Sequence, residues 1–480
     1  MSTPATATST TGKRLRVGLV ARVHSLDPRQ ARDLVSTLAV HQVFETPFAV
    51  PRGEGAAPAV LFTGPLVEEG GGRRSAAVRP GVLFSDGTPL TAALLAASLN
   101  KVEDLRDLAK IEAAGDRVVF TLLKPNPRFD LALTLNHAAV VLEKDGSQLG
   151  TGPFVPAPGS TLEALRLVRN PRFRTPPALD EIVFTIYPPN QDGRPEALIR
   201  AIEAGEVDFT TMLSRGDAGE AKGVRKAFLP SNSTASLYFN TERPELSSSE
   251  ARRALALALD RVALSEVSYA NALAFAATSL LPPMMGTVRD GISHDLARAQ
   301  ALFAQAPPPK PSRLRLLTVW APRPYLPHPR PTAELVARQL APLGVQVEIV
   351  TPRNSDEFFR SCERGEYDMV LGGWIADTPD PADFLESNLH SEHIQSPTER
   401  GVGNINLSRF KSPAMDAALR RFREDPTPEN RGAVLQLVNQ EMPLLPLMYG
   451  PTVVVSAWRV KNVDVSPLGV PHFEQFDIND

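Results

Sequence analysis

Leu314-Arg-Leu-Leu-Thr-Val-Trp320, Val345-Gln-Val-Glu-Ile-Val350 and Tyr367-Asp-Met-Val-Leu371 are short apolar-rich runs separated by two helix-length stretches, 331–343 and 355–364. The runs predict strands, and the spacers predict helices that cross over between them. That is the pattern of a mixed α/β sheet. A similar alternation fills the chain before it. Arg14-Leu-Arg-Val-Gly-Leu-Val20 reads as an opening strand, 31–44 has helical spacing, and further strands are expected at 117–123, 162–169 and 181–187. An amphipathic helix over 196–204 stops at Gly205, followed by strands from Val207 and over Leu237-Tyr-Phe-Asn-Thr241 and a helix over 249–259. A second βαβ-rich region beginning near residue 260 predicts a second lobe.

The last of those strands runs into Gly372-Gly373-Trp-Ile-Ala-Asp-Thr-Pro-Asp-Pro381. A Gly-Gly pair lets a backbone turn sharply or approach another group closely. Pro379 and Pro381 fix φ at two of the following positions. Trp374 then offers a flat apolar wall and Asp377 a fixed negative charge, the features of a binding loop. The competing reading is a strand end followed by a stiff, solvated turn.

With 480 residues, the chain is long for one core and suits two or three lobes. It is 42% apolar and 22% charged, with a net charge of -3 and 51 basic residues interspersed among 54 acidic ones. No basic block forms, so neither nucleic acid nor an anionic membrane is an expected partner. The 45 prolines favour short, stiff connections. Cys362 is the one cysteine, which excludes an internal disulfide, and the eight histidines show no ligand spacing, so no metal and no cofactor is expected. Residues 1–13 read as a disordered tail. They lack the apolar core of roughly 7 to 15 residues that a secretory signal requires, and no apolar run of about 18 residues predicts a membrane span. No GxSxG, P-loop or dinucleotide fingerprint and no nucleophile–base set is present, so an enzyme is not expected.

Several segments, in order, resemble one family. Gly81-Val-Leu-Phe-Ser-Asp-Gly-Thr-Pro-Leu-Thr-Ala92, Gly150-Thr-Gly-Pro-Phe154, Asn170-Pro-Arg-Phe173 with Leu179-Asp180, and Phe239-Asn-Thr241 with Ala251-Arg-Arg-Ala-Leu-Ala-Leu-Ala-Leu-Asp-Arg261 are four of them. Gly373-Trp-Ile-Ala-Asp377 with Asp380-Pro381, Phe410-Lys-Ser-Pro-Ala-Met-Asp416 and Leu445-Pro-Leu447 complete the set. Together they resemble the family 5 solute-binding proteins that serve peptide, nickel and opine ABC importers.

The resemblance implies an α/β, two-lobed periplasmic-binding-protein-like fold (type II, cluster C) with a third small domain inserted in the first lobe. The boundaries expected are 14–44, 150–240 and 450–480 for lobe I, 45–149 for the insert and 241–449 for lobe II. It implies a monomer that captures a small peptide or related solute by hinge closure and delivers it to the membrane subunits of an ABC importer outside the cytoplasm. Asp377 would pair with the ligand's α-amino group, because a carboxylate in a closing cleft is costly unless paired. Ala376 and Trp374 would stand beside it, with Tyr238 and Asn240 on the opposite wall. Asp380 is expected in the turn. The Asp86-Gly87 turn and the helix after Thr91 are expected to be scaffold. Thr378 stands where the family often has an aromatic residue, so nickel-chelate, opine or sugar ligands stay open. A cytoplasmic ligand sensor using the same fold is the alternative that the missing signal suggests.

Overall fold

The computed structural model describes residues 12–31, 33–52, 55–190, 194–269, 276–286, 288–289, 291–319, 321–376, 378–395 and 405–479. Two large sheets organise it. The first contains, in spatial order, Arg225–Leu229, Thr452–Ser456, Phe209–Thr210, Arg14–Leu19, Glu181–Ile186, Arg166–Arg169 and Phe154–Pro156. Arg14–Leu19 lies parallel to both its neighbours at the sheet centre, while the flanking pairs are antiparallel. Leu15, Val17 and Leu19 are buried there with Phe184 and Phe209, which explains the apolar alternation of the opening strand.

The second sheet runs Gln346–Val350, Arg313–Thr318, Met369–Ile375, Ser233–Phe239 and Leu444–Tyr449. Its first three strands are parallel, joined by the helices Pro329–Leu340 and Ser355–Arg364, as the spacing predicts. Asn354 caps the second helix, its side chain accepting from Glu357 N, and Gly365 closes it in the left-handed conformation at φ 63°. Ser233–Phe239 is buried at every position and pairs on both sides within lobe II. Its place therefore differs from the expected boundary at residue 240. The strand follows the crossing from lobe I instead of preceding it.

The chain passes between the lobes twice at one place. Arg225–Leu229 and Thr452–Ser456 pair antiparallel in the first sheet, and Ser233–Phe239 and Leu444–Tyr449 pair antiparallel in the second. Residues 230–232 and 450–451 are thus adjacent connectors. Ser231 Oγ donates to Gly450 O at 2.7 Å, and Gly450 N donates to Ser233 O at 3.2 Å, holding the two crossings together.

A separate four-stranded antiparallel sheet, Val67–Gly70, Arg73–Ala77, Arg117–Leu122 and Ala109–Ala114, forms the insert. Its core is a chain of rings, Phe48, Phe62, Phe120 and Phe129, with successive centroids 5.4, 6.4 and 5.2 Å apart. Gly87 sits at φ 94° in the turn after Phe84, and Thr91 caps Ala92–Leu99 by accepting from Leu94 N at 3.2 Å. The chain then returns to lobe I through Gly152, whose N–H donates to Val43 O at 2.9 Å. No helix among the described residues is long and apolar enough to cross a membrane.

Candidate functional site

A cavity of about 1460 Å³ opens where the three units meet. Lobe I supplies the start of Leu34–Val43, the turn at Phe173-Arg174, the stretch after Thr211 and the C-terminal segment around His472. Lobe II supplies residues 322–324 and 327–331 and the end of the central strand, Ile375-Ala376. The insert adds Val50, Val60, Thr134 and Asn136, and both crossings reach the wall through Asn232 and Gly450.

The lobe I wall is charged but internally paired. Arg174 makes two hydrogen bonds to Glu45, Nη1 to Oε2 at 2.8 Å and Nη2 to Oε1 at 2.5 Å. Burial raises the Glu45 carboxyl above its usual range, against the opposing pull of Arg174. His472 Nδ1 lies 3.5 Å from Glu474 Oε1; burial lowers its pKa, but pairing with Glu474 together with the Asp464 carboxylate outweighs this and leaves it raised. His41 is pushed down to about 4 by burial and by His472, so it is a neutral imidazole near pH 7. Between these charges are exposed apolar side chains. Leu34 on lobe I is 44% exposed and Ile375 on lobe II is 40% exposed, and both belong to the cavity wall. Large apolar groups left open inside a concave site are contacts available to a ligand.

The lobe II wall is stiff. Pro322, Pro324, Pro327, Pro329 and Pro331 carry no N–H, so this strap shapes the cavity without offering a ladder of donors. Tyr325 anchors it by packing against Gly373. Strand pairing of Met369–Ile375 on its Arg313–Thr318 side ends at Leu371–Thr318, four residues before the strand itself ends.

The residues expected from sequence are only partly brought together. Ala376 lines the cavity, 6% exposed, with its N–H donating to Asn232 O at 2.8 Å. Asp377 lies outside the described residues. Trp374 is half-buried opposite Thr234 and packs on the lobe II core, beside the cavity wall and not in it. Tyr238 and Asn240 do not form an opposite wall. Tyr238 is 1% exposed, with its hydroxyl donating to Asn388 Oδ1 at 2.8 Å, and Asn240 is 1% exposed, donating to Tyr367 O at 2.9 Å. Their strand adjoins that of Trp374 in one sheet, so both polar groups satisfy the lobe II interior.

Gly372-Gly373 does not end the strand, which continues to Ile375. The loop after it is locally bonded. Thr378 Oγ1 donates to Asp383 Oδ2 at 2.8 Å and accepts from Asp380 N at 3.0 Å, and Asp380 caps Pro381–Leu389 through Ala382 N. Sequence reading missed Leu34, His41, Glu45, Arg174 and His472. Apart from the cap signal at Asp33 before Leu34, no local pattern marks them. Among the described residues, no cluster of three or more His, Cys, Asp or Glu side chains is placed to hold a metal ion.

The fold is shared with solved structures. HbpA2 from Haemophilus parasuis matches with a TM-score of 0.84 at 21% identity, over 97% of this chain and all of that one. A dipeptide-binding protein from Pseudoalteromonas sp. SM9913, in complex with Met-Leu, matches with a TM-score of 0.74 at 20% identity over 97% of this chain and all of that one. In sequence, the chain is 28% identical to heme-binding protein A of Haemophilus influenzae over 344 residues, 68% of this chain and 59% of that protein's length. It is 24% identical to the dipeptide-binding protein of Escherichia coli K12 over 77% of this chain and 72% of the relative. The family model for bacterial extracellular solute-binding proteins, family 5, matches residues 76–396, more than half of the sequence. The chain belongs to the family 5 bacterial extracellular solute-binding proteins, a family of binding proteins and not of enzymes.

Proposed function

We propose that this protein captures a peptide or peptide-like solute in the cavity between its lobes, closes on it by bending at residues 230–232 and 450–451, and delivers it to an ABC importer. The observation that carries this reading is the placement of a cavity of about 1460 Å³ directly at a two-strand crossing. Hinges are a few connecting residues that absorb backbone change while packed lobes move as bodies. The volume exceeds the roughly 300–1,000 Å³ of ordinary small-molecule pockets, so it accommodates more than a single amino acid. The backbone of Ile375, on the cavity wall and beyond the last strand pair on the Arg313–Thr318 side, offers groups to an extended ligand, in the manner of an added strand. Asp377 follows the cavity-lining Ala376 in sequence and is the proposed partner of the ligand's amino group, with Trp374 stiffening the strand before it. Relatives named as dipeptide- and di/tripeptide-binding proteins support the ligand class. Delivery to an importer places the protein outside the cytoplasm, acting as a monomer.

A thermal-shift screen tests the proposal, with arms for di- to pentapeptides, free amino acids, nickel chelates and, because one relative is a heme-binding protein, iron porphyrin. Ligand at a hundred times its Kd stabilises by about 2.7 kcal/mol, so the peptide arm should raise Tm. A flat peptide arm with a response to porphyrin or chelate would replace the ligand class, and a flat response throughout would remove the solute-binding reading.

A further inference from the structure

The loop that leaves the cavity at Ala376 is held from an unexpected direction. Asp380, 5% exposed, accepts a hydrogen bond from Arg128 Nη1 at 2.8 Å, and Arg128 belongs to the insert, where it precedes the short helix Phe129–Ala132. The same guanidinium lies 5.6 Å from the centroid of the Phe422 ring, and its Nη2 reaches Pro426 O at 3.5 Å. One side chain of the insert therefore touches lobe II at three points. Arg128 itself does not line the cavity.

The local charges make this contact matter for the loop. Asp380 Oδ1 also accepts from Ala382 N at 2.9 Å, capping the helix Pro381–Leu389. Asp383 sits one turn on, and the nearby cation Arg423 is engaged by Asp383 at 2.7 Å and by Glu386 at 2.6 Å. Burial, followed by repulsion from Asp383, pushes the Asp380 carboxyl up, and Arg128 opposes both. Without Arg128 the buried carboxylate keeps its cap but loses its counter-charge, and must take up a proton or move toward water. Either change reaches Thr378 through the Thr378–Asp380 and Thr378–Asp383 bonds. Elsewhere the insert is fastened to lobe I. Asn136 Nδ2 donates to Pro28 O at 3.1 Å and to Ala31 O at 3.0 Å, and Glu143 bridges Lys101 and Arg29.

We infer that Arg128 is a positioning residue for the binding site: anchored through the insert to lobe I, it holds the lobe II cavity loop by Asp380 and limits how far the lobes separate before ligand closes them. This rests on the closure reading above.

The test uses the full chain carrying spin labels at Glu112→Cys on the insert and Glu429→Cys on lobe II, with the distance between them measured without ligand and with tri-alanine. Arg128→Met, which keeps the apolar stem over Phe422, should lengthen and broaden the ligand-free distance. Arg128→Lys should restore it, and Asp380→Asn, which retains a cap, should reproduce Arg128→Met. Tri-alanine should bind Arg128→Met at least tenfold more weakly than the parent. A ligand-free distance in both Arg128→Met and Asp380→Asn equal to the parent's would overturn the inference. Failure of the parent to contract with tri-alanine would instead count against closure on peptides, a separate result from the ligand-free comparison.

Discussion

Gly373 passes under the ring of Tyr325 with no room for a side chain: a Cβ there would lie 2.7 Å from Tyr325 Cδ2 and 2.6 Å from Thr234 O. The neighbouring Gly372 is different, since its Cβ would meet Val370 Cγ1 at an ordinary 3.5 Å. Gly373→Ala should therefore displace both the Pro-rich strap and the Thr234 backbone of the paired strand and cost about 1–3 kcal/mol, seen as a lower midpoint in urea. Gly372→Ala should be close to neutral. Equal effects from the two substitutions would mean that the strap yields freely and that Gly373 is not required by its packing.

That pair shows what the sequence could and could not disclose. The Gly-Gly signal was legible as close approach or sharp turn, and the structure chose close approach because Tyr325, many residues away, occupies the space. The strand–helix alternation of 313–371 was legible because burial imposes a period on apolar residues whatever their partners. Tyr238 and Asn240 were misplaced for the same reason. Alternation reports that a strand is buried, but not whether its polar groups meet a ligand or Asn388 and Tyr367. The cavity wall was least legible, since Leu34, Arg174, His472 and Ile375 come from segments that only tertiary folding brings together.

Tyr238→Phe separates the two roles directly. Removing the hydroxyl leaves Asn388 Oδ1 without its 2.8 Å donor in a buried setting, at a cost of about 1–2 kcal/mol. Unfolding in urea should show this loss, while ligand affinity measured by calorimetry should match the parent. A fall in affinity with unchanged stability would return Tyr238 to the binding site.

Asp208 should be the strongest single electrostatic determinant of lobe I. It is 1% exposed and accepts from Arg16 N, Nε and Nη2 and from Arg459 Nε and Nη2, all between 2.8 and 2.9 Å. Burial alone would raise its pKa, but these bonds outweigh it and the carboxyl is held below its usual value. Its stabilisation is then complete above the unfolded-state pKa of about 3.9 and is lost as pH falls through the lower folded value. Because both arginines are partly solvated, Asp208→Asn should cost about 2–4 kcal/mol at pH 7, less than a fully buried pair. The difference between parent and variant should shrink in urea titrations carried toward pH 3. A pH-independent difference would assign the effect to packing.

Leu34 and Ile375 face the same cavity from opposite lobes and remain 44% and 40% exposed. Side chains this open add little to folding, so Leu34→Ala and Ile375→Ala should each change stability by only about 0.5 kcal/mol. If the lobes close on a peptide, both become covered, and each truncation forfeits the apolar area that closure would bury. At roughly 25 cal/mol per Å² this amounts to about 1–1.5 kcal/mol, or roughly a tenfold loss in affinity for tri-leucine. The loss should fall mainly on the dissociation rate, because the contacts form only after closure. Tri-alanine should lose less, since it presents less surface to either residue. Equal losses for the two tripeptides would place the contact on the ligand backbone, and reduced stability with unchanged affinity would make both residues part of the core.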